Sequence, residues 1–142
     1  MPIEYREEPD LSAEDFLSLA QRVWPGSYSS EPVQKALRPT INLTARDQDR
    51  LVGCVRILTD GYLFGTLPEI LVDPEHQGRG IGRRLMELAW ERSPTSLFFG
   101  VQPGNEPFFE KLGYQPSLTA YARRKPRPGG WVERYHLFLR VP

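Results

Sequence analysis

The sequence feature that most constrains the fold is a glycine-rich segment, Gln77-Gly-Arg-Gly-Ile-Gly82. It follows a predicted strand at 66–72 and opens a segment of helical periodicity at about 80–92. The apolar face of this predicted helix consists of Ile81, Leu85, Met86, Leu88 and Ala89. Because glycine tolerates positive φ angles and lets the backbone approach a ligand closely, the segment predicts a tight turn from a strand into a helix.

A turn of this kind is suited to binding phosphate or pyrophosphate. Backbone N–H groups at the start of a helix lack partners within the helix, and the helix dipole adds partial positive charge there. Arg79, Arg83 and Arg84 can add charge-assisted hydrogen bonds. A tight turn that binds no ligand is the alternative interpretation. A Walker loop is excluded because two arginines follow Gly82, and a dinucleotide fold is excluded because the glycines are spaced G-x-G-x-G.

The other predicted elements are short and are separated by prolines and glycines. The predicted helices cover 12–24, 31–38, 80–92 and 106–112, and the predicted strands cover 3–7, 40–46, 51–58, 66–72, 96–102, 115–123 and 134–141. The strand at 96–102 is nearly continuous in apolar residues, which predicts burial on both faces. Together with the strand at 66–72 and the helix at 80–92 it predicts a right-handed, parallel βαβ crossover after antiparallel hairpins. The predicted fold class is therefore α/β with a mixed central sheet.

Composition and charge narrow the classes of function. The chain has 142 residues, and 18 Lys and Arg balance 18 Asp and Glu, so net charge gives no reason to expect a nucleic acid or an anionic membrane as partner. A single cysteine, Cys54, excludes an internal disulfide, and two histidines argue against metal chemistry. No stretch approaches the roughly 20 apolar residues that span a bilayer, and the acidic start is unlike a secretory signal. We expect a soluble, cytoplasmic protein with one domain, 1–142.

Three motifs in order resemble one known family. Gln77 to Gly82 resembles the Q/R-x-x-G-x-G/A signature of the GNAT superfamily of acetyl-CoA-dependent N-acetyltransferases. Ile70-Leu-Val-Asp-Pro74 is similar to the strand and turn before that signature. Asn105, followed by Phe108-Phe-Glu-Lys-Leu-Gly-Tyr114, is similar to the family segment N-x-x-x-F-Y-E-K-L-G-F. The resemblance covers about 66–115 and implies a GNAT-like fold with about four flanking helices. In that fold the strand at 66–72 carries a bulge, runs parallel to the strand at 96–102 and splays apart from it.

The resemblance implies acetyl-CoA as cosubstrate and no metal. The pantetheine arm would lie along the backbone of the strand that ends at Val72, and the pyrophosphate would lie over the glycine turn. The cofactor-binding residues implied in this way are Ile70, Leu71, Val72, Gln77, Gly78, Arg79, Gly80, Ile81, Gly82, Arg83, Asn105 and Phe109. Asn105 has a second interpretation as the cap of the helix that follows it. The implied acceptor is a primary amine of a small polar metabolite or a peptide, and many relatives form homodimers.

The implied reaction is direct attack of the amine on the thioester in a ternary complex. An alkylammonium group has a pKa near 10, so a base must remove its proton, and Glu69 in the strand before the turn is the candidate. The alternative is that Glu69 points to solvent or pairs with an arginine. The backbone N–H of Val72 is the candidate donor to the carbonyl oxygen as negative charge develops.

The proton donor to the departing thiolate is less well defined by the sequence. Many family members have a tyrosine immediately before E-K-L-G, where this chain has Phe109. Either another hydroxyl acts, with Tyr28 and Tyr62 as candidates, or the thiolate leaves without a dedicated acid. Phe109 also supports an alternative function, a non-catalytic acyl-CoA-binding or sensor module. Cys54 is expected to be a small core residue.

Overall fold

An antiparallel meander forms the centre of the fold in the computed structural model, which describes residues 2–125 and the strand residues 138–139. The α-helices are α1 Ala13–Val23, α2 Ser30–Leu37, α3 Ile81–Arg92 and α4 Glu106–Glu110. The strands are β1 Ile3–Glu7, β2 Ile41–Asp47, β3 Arg50–Thr59, β4 Gly65–Thr66, β5 Ile70–Val72, β6 Gly100–Val101 and β7 Phe138–Leu139. A 3₁₀ turn, Pro74–His76, lies between β5 and α3.

The strands form an open sheet in the order β1-β2-β3-β4, in which β5 also pairs with β3. All of these pairs are antiparallel, whereas β6 and β7 form a separate parallel pair. The predicted α/β class, the antiparallel start and the four helices are confirmed. The helix predicted at 12–24 begins as expected, because the side chain of Ser12 accepts a hydrogen bond from the Asp15 N–H at 3.1 Å.

Helices cover the sheet on both faces. One face of β3 carries Val55 and Ile57, which pack with the α3 side chains in a buried cluster. The other face carries Leu51 and Cys54, which pack with α1 and α2 in a second cluster. Side chains alternate between the two faces of a strand, and the register shift of β3 opposite Ala45 and Arg46 places Leu51 on the same face as Cys54. A helix layer can therefore bury each face.

Three sequence predictions about strands are wrong. The continuous strand at 66–72 is two short strands separated by 67–69. The segment 96–102 is strand only at Gly100–Val101, and its residues are exposed or half-buried rather than buried on both faces. The segment 115–123 has no strand. Of the strand predicted at 134–141, only β7 lies among the described residues.

The predicted parallel pairing of 66–72 with 96–102 also needs correction. Among residues 2–125 and 138–139, β6 pairs with β7, and no ladder joins β5 to β6. The physical reason lies between β4 and β5, where the chain departs from regular strand geometry.

Candidate functional site

A β-bulge separates β4 from β5. Leu58 of β3 pairs with Thr66, and Val55 pairs with Ile70, so residues 56 and 57 of β3 lie opposite the three residues 67–69. One extra residue on one strand is the definition of a bulge, and it bends that strand. Pro68 lies in the bulge, and proline has no N–H to donate to a ladder. The sequence therefore contained the signal that breaks the strand.

The bulge leaves β5 with an open backbone edge. The Arg56 N–H donates to the Glu69 carbonyl at 3.4 Å, and the Asp73 N–H donates to the Val52 carbonyl at 2.8 Å. Residues of an antiparallel strand face the partner alternately, so Ile70 and Val72 direct their N–H and C=O groups away from β3, while those of Leu71 face β3. No strand among the described residues pairs with this outer edge.

The chain segment before β6 meets β4 at one end of this edge and does not follow it. The Phe98 N–H donates to the Gly65 carbonyl at 3.0 Å. A Cβ atom at Gly65 would lie 3.1 Å from the Ser96 carbonyl and closer still to Thr95 Oγ1, so glycine permits this approach. Further along, β6 pairs with β7. The two segments therefore touch at their start, and no ladder joins β5 to β6 among the described residues. The splay of the pair stays a prediction.

The glycine turn presents open space in front of the first turn of α3. Gly78 and Gly80 both have φ of +81°, and a Cβ atom at either would meet nothing within 4 Å. The first intrahelical bond runs from the Arg84 N–H to the Gly80 carbonyl at 3.0 Å, so the amides before Arg84 have no helical partner. The first turn of α3 contains no acidic residue. This arrangement can bind an anion.

Side chains on both sides fix the turn to the end of β5. Gln77 Nε2 donates to the Val72 carbonyl at 3.2 Å. The carboxylate of Asp73, which is 1% exposed, accepts from the Glu75 N–H at 3.1 Å and from Arg22 Nε at 3.0 Å. Asp73 therefore caps the 3₁₀ turn that precedes the glycine turn. The contribution of Arg22 was not predicted, since no local pattern connects it to a residue 51 positions away.

Glu69 forms a buried ion pair with Arg56. The side chains are 9% and 13% exposed; Arg56 Nη2 donates to Oε1 at 2.7 Å, and Arg56 Nε donates to Oε2. Burial opposes the charged form of Arg56, but the attraction of the Glu69 carboxylate and its hydrogen bonds outweigh burial and raise the pKa of Arg56. This is the alternative that the sequence left open for Glu69, pairing with an arginine, and the structure identifies Arg56 as the partner. The role of Glu69 as the base stays a prediction.

Phe109 is packed inside an aromatic cluster. It is 2% exposed, and its ring centroid lies 5.3 Å from that of Phe99 and 5.0 Å from that of Phe108. Tyr114 contacts Phe99 at 5.1 Å, and its buried hydroxyl has no hydrogen-bond partner among the described residues. Burial raises the pKa of Tyr114. The role of Phe109 in cofactor binding stays a prediction.

The other candidate residues lie on separate connections. The Tyr28 hydroxyl donates to the Trp24 carbonyl between α1 and α2, and Tyr62 is 86% exposed between β3 and β4. Asn105 occupies the N-cap position of α4 but makes no side-chain capping bond. Cys54 is 1% exposed, and burial raises the pKa of its thiol, so the expected core role is confirmed.

The part of the chain that the structure describes contains neither a candidate metal site nor a candidate membrane-spanning helix. No group of three or more His, Cys, Asp or Glu side chains there is arranged to hold a metal ion. No helix there combines the length and apolar character needed to cross a bilayer.

Sequence comparison finds relatives with a shared description. The family model described as "Acetyltransferase (GNAT) domain" matches residues 39–116. "Probable acetyltransferase TAP2" of Glycine max is 28% identical over 124 residues, which is 75% of this chain and 49% of that protein. "GCN5-related N-acetyltransferase 2, chloroplastic" of Arabidopsis thaliana is 32% identical over 76 residues, 49% of this chain and 29% of that protein. The chain spans less than half the length of the curated relatives it matches.

Solved structures share the fold at low sequence identity. A GNAT family acetyltransferase from Streptococcus pneumoniae TIGR4 has a TM-score of 0.70 at 24% identity, covering 87% of this chain and 100% of that chain. The structure of AAC(6')-Iy in complex with a bisubstrate analogue, CoA-S-monomethyl-acetylneamine, has a TM-score of 0.69 at 15% identity, covering 89% and 100%. The paia N-acetyltransferase from Thermoplasma acidophilum in complex with coenzyme A has a TM-score of 0.59 at 20% identity, covering 84% and 94%.

Proposed function

Since this chain belongs to the GNAT acetyltransferase family, we propose that it transfers an acetyl group from acetyl-CoA to a primary amine of a small polar metabolite or a peptide. The observation that carries the proposal is the open edge of β5 directly before the glycine turn of α3. One end of this region offers strand backbone to an extended ligand, and the other offers helix amides to an anion. Coenzyme A is a molecule with both features.

The residues of the turn fit a diphosphate. The space in front of Gly78 and Gly80 is open, and no acidic side chain of the first helical turn repels an anion. Arg79 and Arg83 are exposed and add positive charge beside the turn. Ile70 and Val72 would pair with the amides of an extended arm in the way that an added strand pairs with a sheet edge. Two structural neighbours with CoA or a CoA analogue bound support this assignment.

Acetyl-CoA would supply the activated acyl group, and the chain would supply orientation and proton transfer. The Val72 N–H, directed away from β3, is the proposed donor to the carbonyl oxygen. Glu69 is the proposed base. Each of its carboxylate oxygens accepts one hydrogen bond from Arg56, which leaves each a second lone pair to accept a proton, directly or through water. The buried, high-pKa thiol of Cys54 favours direct attack over a cysteine-bound acyl group.

Tyr28 and Tyr62 are the proposed hydroxyl donors to the departing thiolate. The Tyr28 hydroxyl would have to break its hydrogen bond to the Trp24 carbonyl, which favours Tyr62 of the two. Phe109 favours a second candidate function, acyl-CoA binding without turnover, because the ring in the usual tyrosine position has no proton to donate.

Calorimetry with coenzyme A and a thiol-release assay with acetyl-CoA test both functions. An amine panel of small polar metabolites and peptides would be compared with the same compounds already N-acetylated, which have no free nucleophile. Thiol release that requires the free amine supports the acetyltransferase. Binding of coenzyme A without amine-dependent release supports the sensor module, and no binding at all contradicts both.

A further inference from the structure

We infer that Arg56 is a positioning residue, which fixes the Glu69 carboxylate at the bulge and connects it to α1 and α2. The inference rests on the proposed function, in which Glu69 takes the proton. It goes beyond that function because it assigns the orientation of the base to a residue on a different strand.

The first support is the geometry of the pair. Arg56 and Glu69 lie opposite each other, joined by the backbone bond from the Arg56 N–H to the Glu69 carbonyl at 3.4 Å. Two side-chain bonds, from Nε to Oε2 and from Nη2 to Oε1, then join the guanidinium to the carboxylate. Two parallel bonds set the plane of the carboxylate as well as its position, which a single contact does not do.

The second support is what the rest of the guanidinium contacts. Its central carbon lies 5.7 Å from the ring centroid of Phe16 on α1. Its Nη1 donates to the Ala36 carbonyl in the last turn of α2 at 3.4 Å, where a helix end carries partial negative charge. Arg56, itself on β3, therefore contacts three other parts of the fold, namely the bulge, α1 and α2. The carboxylate cannot rotate without disturbing contacts with two helices.

A purely structural ion pair is the competing explanation, and turnover separates the two. A structural pair would affect stability while the folded fraction kept the wild-type kcat. A positioning residue affects kcat of the folded protein, because a displacement of the base by about 1 Å can cost roughly 10²-fold. Neither explanation predicts weaker coenzyme A binding, because Arg56 lies on the face of the sheet that packs with α1 and α2, not in the glycine turn.

The test is a double-mutant cycle on kcat, with the dissociation constant for coenzyme A measured beside it. Arg56→Lys keeps the charge but loses the planar fork, and we expect kcat to fall about 10- to 100-fold. Coenzyme A affinity should stay within about twofold. Arg56→Lys combined with Glu69→Gln should lose no more kcat than Glu69→Gln alone, because Arg56 acts through Glu69. Arg92→Lys is the matched control, since Arg92 makes the same kind of two-bond pair with Glu7 on the surface.

Several outcomes contradict the inference. One is a folded Arg56→Lys protein with wild-type kcat. Another is a double variant whose kcat loss equals the product of the losses in Arg56→Lys and Glu69→Gln, because the two residues would then act independently. If Arg56→Lys does not fold, Arg56→Gln/Glu69→Gln removes both buried charges, and a kcat far below that of Glu69→Gln would contradict it. If the wild-type protein acetylates no amine, the proposed function is contradicted rather than this inference. A crystal structure of Arg56→Lys then tests the inference: a displaced Glu69 carboxylate supports it, and an unmoved carboxylate contradicts it.

Discussion

Gly78 and Gly80 show how a missing side chain can serve two purposes at one position. Their φ angles of +81° lie in the region that favours glycine, and the space where a Cβ atom would project is open. Gly61 shares both properties, with φ of +88° and nothing within 4 Å of a Cβ atom, but it lies in the connection between β3 and β4, away from the turn. Backbone strain and ligand space can therefore be separated experimentally within this chain.

Gly80→Leu is expected to abolish binding of coenzyme A. The side chain would occupy the space in front of the α3 amides, where the phosphates are proposed to bind. Gly61→Leu is the matched control, because it carries comparable backbone strain away from the turn, and its affinity should stay within about twofold of wild type. Isothermal calorimetry measures both variants. Unchanged affinity in Gly80→Leu would show that the phosphates bind elsewhere.

Phe109 gives a second prediction about a single residue. Phe109→Tyr adds a hydroxyl inside the aromatic cluster, and a buried hydroxyl without a partner costs about 1–3 kcal/mol of unfolding free energy. Coenzyme A affinity should stay within about twofold. Urea unfolding measures the loss of unfolding free energy in Phe109→Tyr and in Phe108→Tyr. We expect the smaller loss in Phe108→Tyr, because Phe108 is only half-buried. A large loss of affinity would mean that the packing of Phe109 shapes the binding site.

Among the elements, those with a local signal were predicted well. The helix boundaries at Ser12 and Gly80 follow from a cap residue and a glycine, and β2 and β3 follow from alternating apolar residues around a polar turn. Within the predicted strand at 66–72, Pro68 is a local signal for the break, whereas the register that makes the break a one-residue bulge depends on how two strands pair across the sheet. The prediction of a strand at 96–102 buried on both faces was wrong, because an apolar run does not show which neighbouring element would cover each face.

The two serine caps of α1 and α2 allow a prediction at the level of single helices. Ser12 accepts a hydrogen bond from the Asp15 N–H, whereas Ser29, at the N-cap of α2, makes no side-chain capping bond. Ser12→Ala should lower the free energy of unfolding by about 1 kcal/mol, and Ser29→Ala should change it by less than about half of that. Urea denaturation measures both, and equal losses would contradict the assignment of the caps.

At the scale of the whole molecule, the candidate site depends on contacts that no local pattern contains. The glycine turn was predicted from the sequence because six consecutive residues determine it, whereas its ligand class stays a proposal. The Arg56–Glu69 pair and the contact of Arg22 with Asp73 connect residues 13 and 51 positions apart, and they appear only when the sheet and its helix layers are assembled. The single domain 1–142, the homodimer and the cytoplasmic location stay predictions.

The partly buried network around Arg46 makes the stability of the whole fold depend on pH in the acid range. The Glu8 carboxylate accepts from Arg46 Nε and Nη2, both at 2.8 Å, and from the Thr44 hydroxyl. Burial raises the pKa of Glu8, but these hydrogen bonds outweigh burial and hold that pKa below its usual value. The folded chain therefore binds this proton less readily than the unfolded chain. The stabilisation is complete above the ordinary carboxyl pKa of about 4 and is lost as the pH falls through the lower folded pKa.

The urea midpoint of unfolding should thus decrease as the pH is lowered from about 5 to about 3. Glu8→Gln should flatten this dependence, whereas Glu110→Gln, at an exposed position, should not. An unchanged slope in Glu8→Gln would assign the acid sensitivity to other carboxylates.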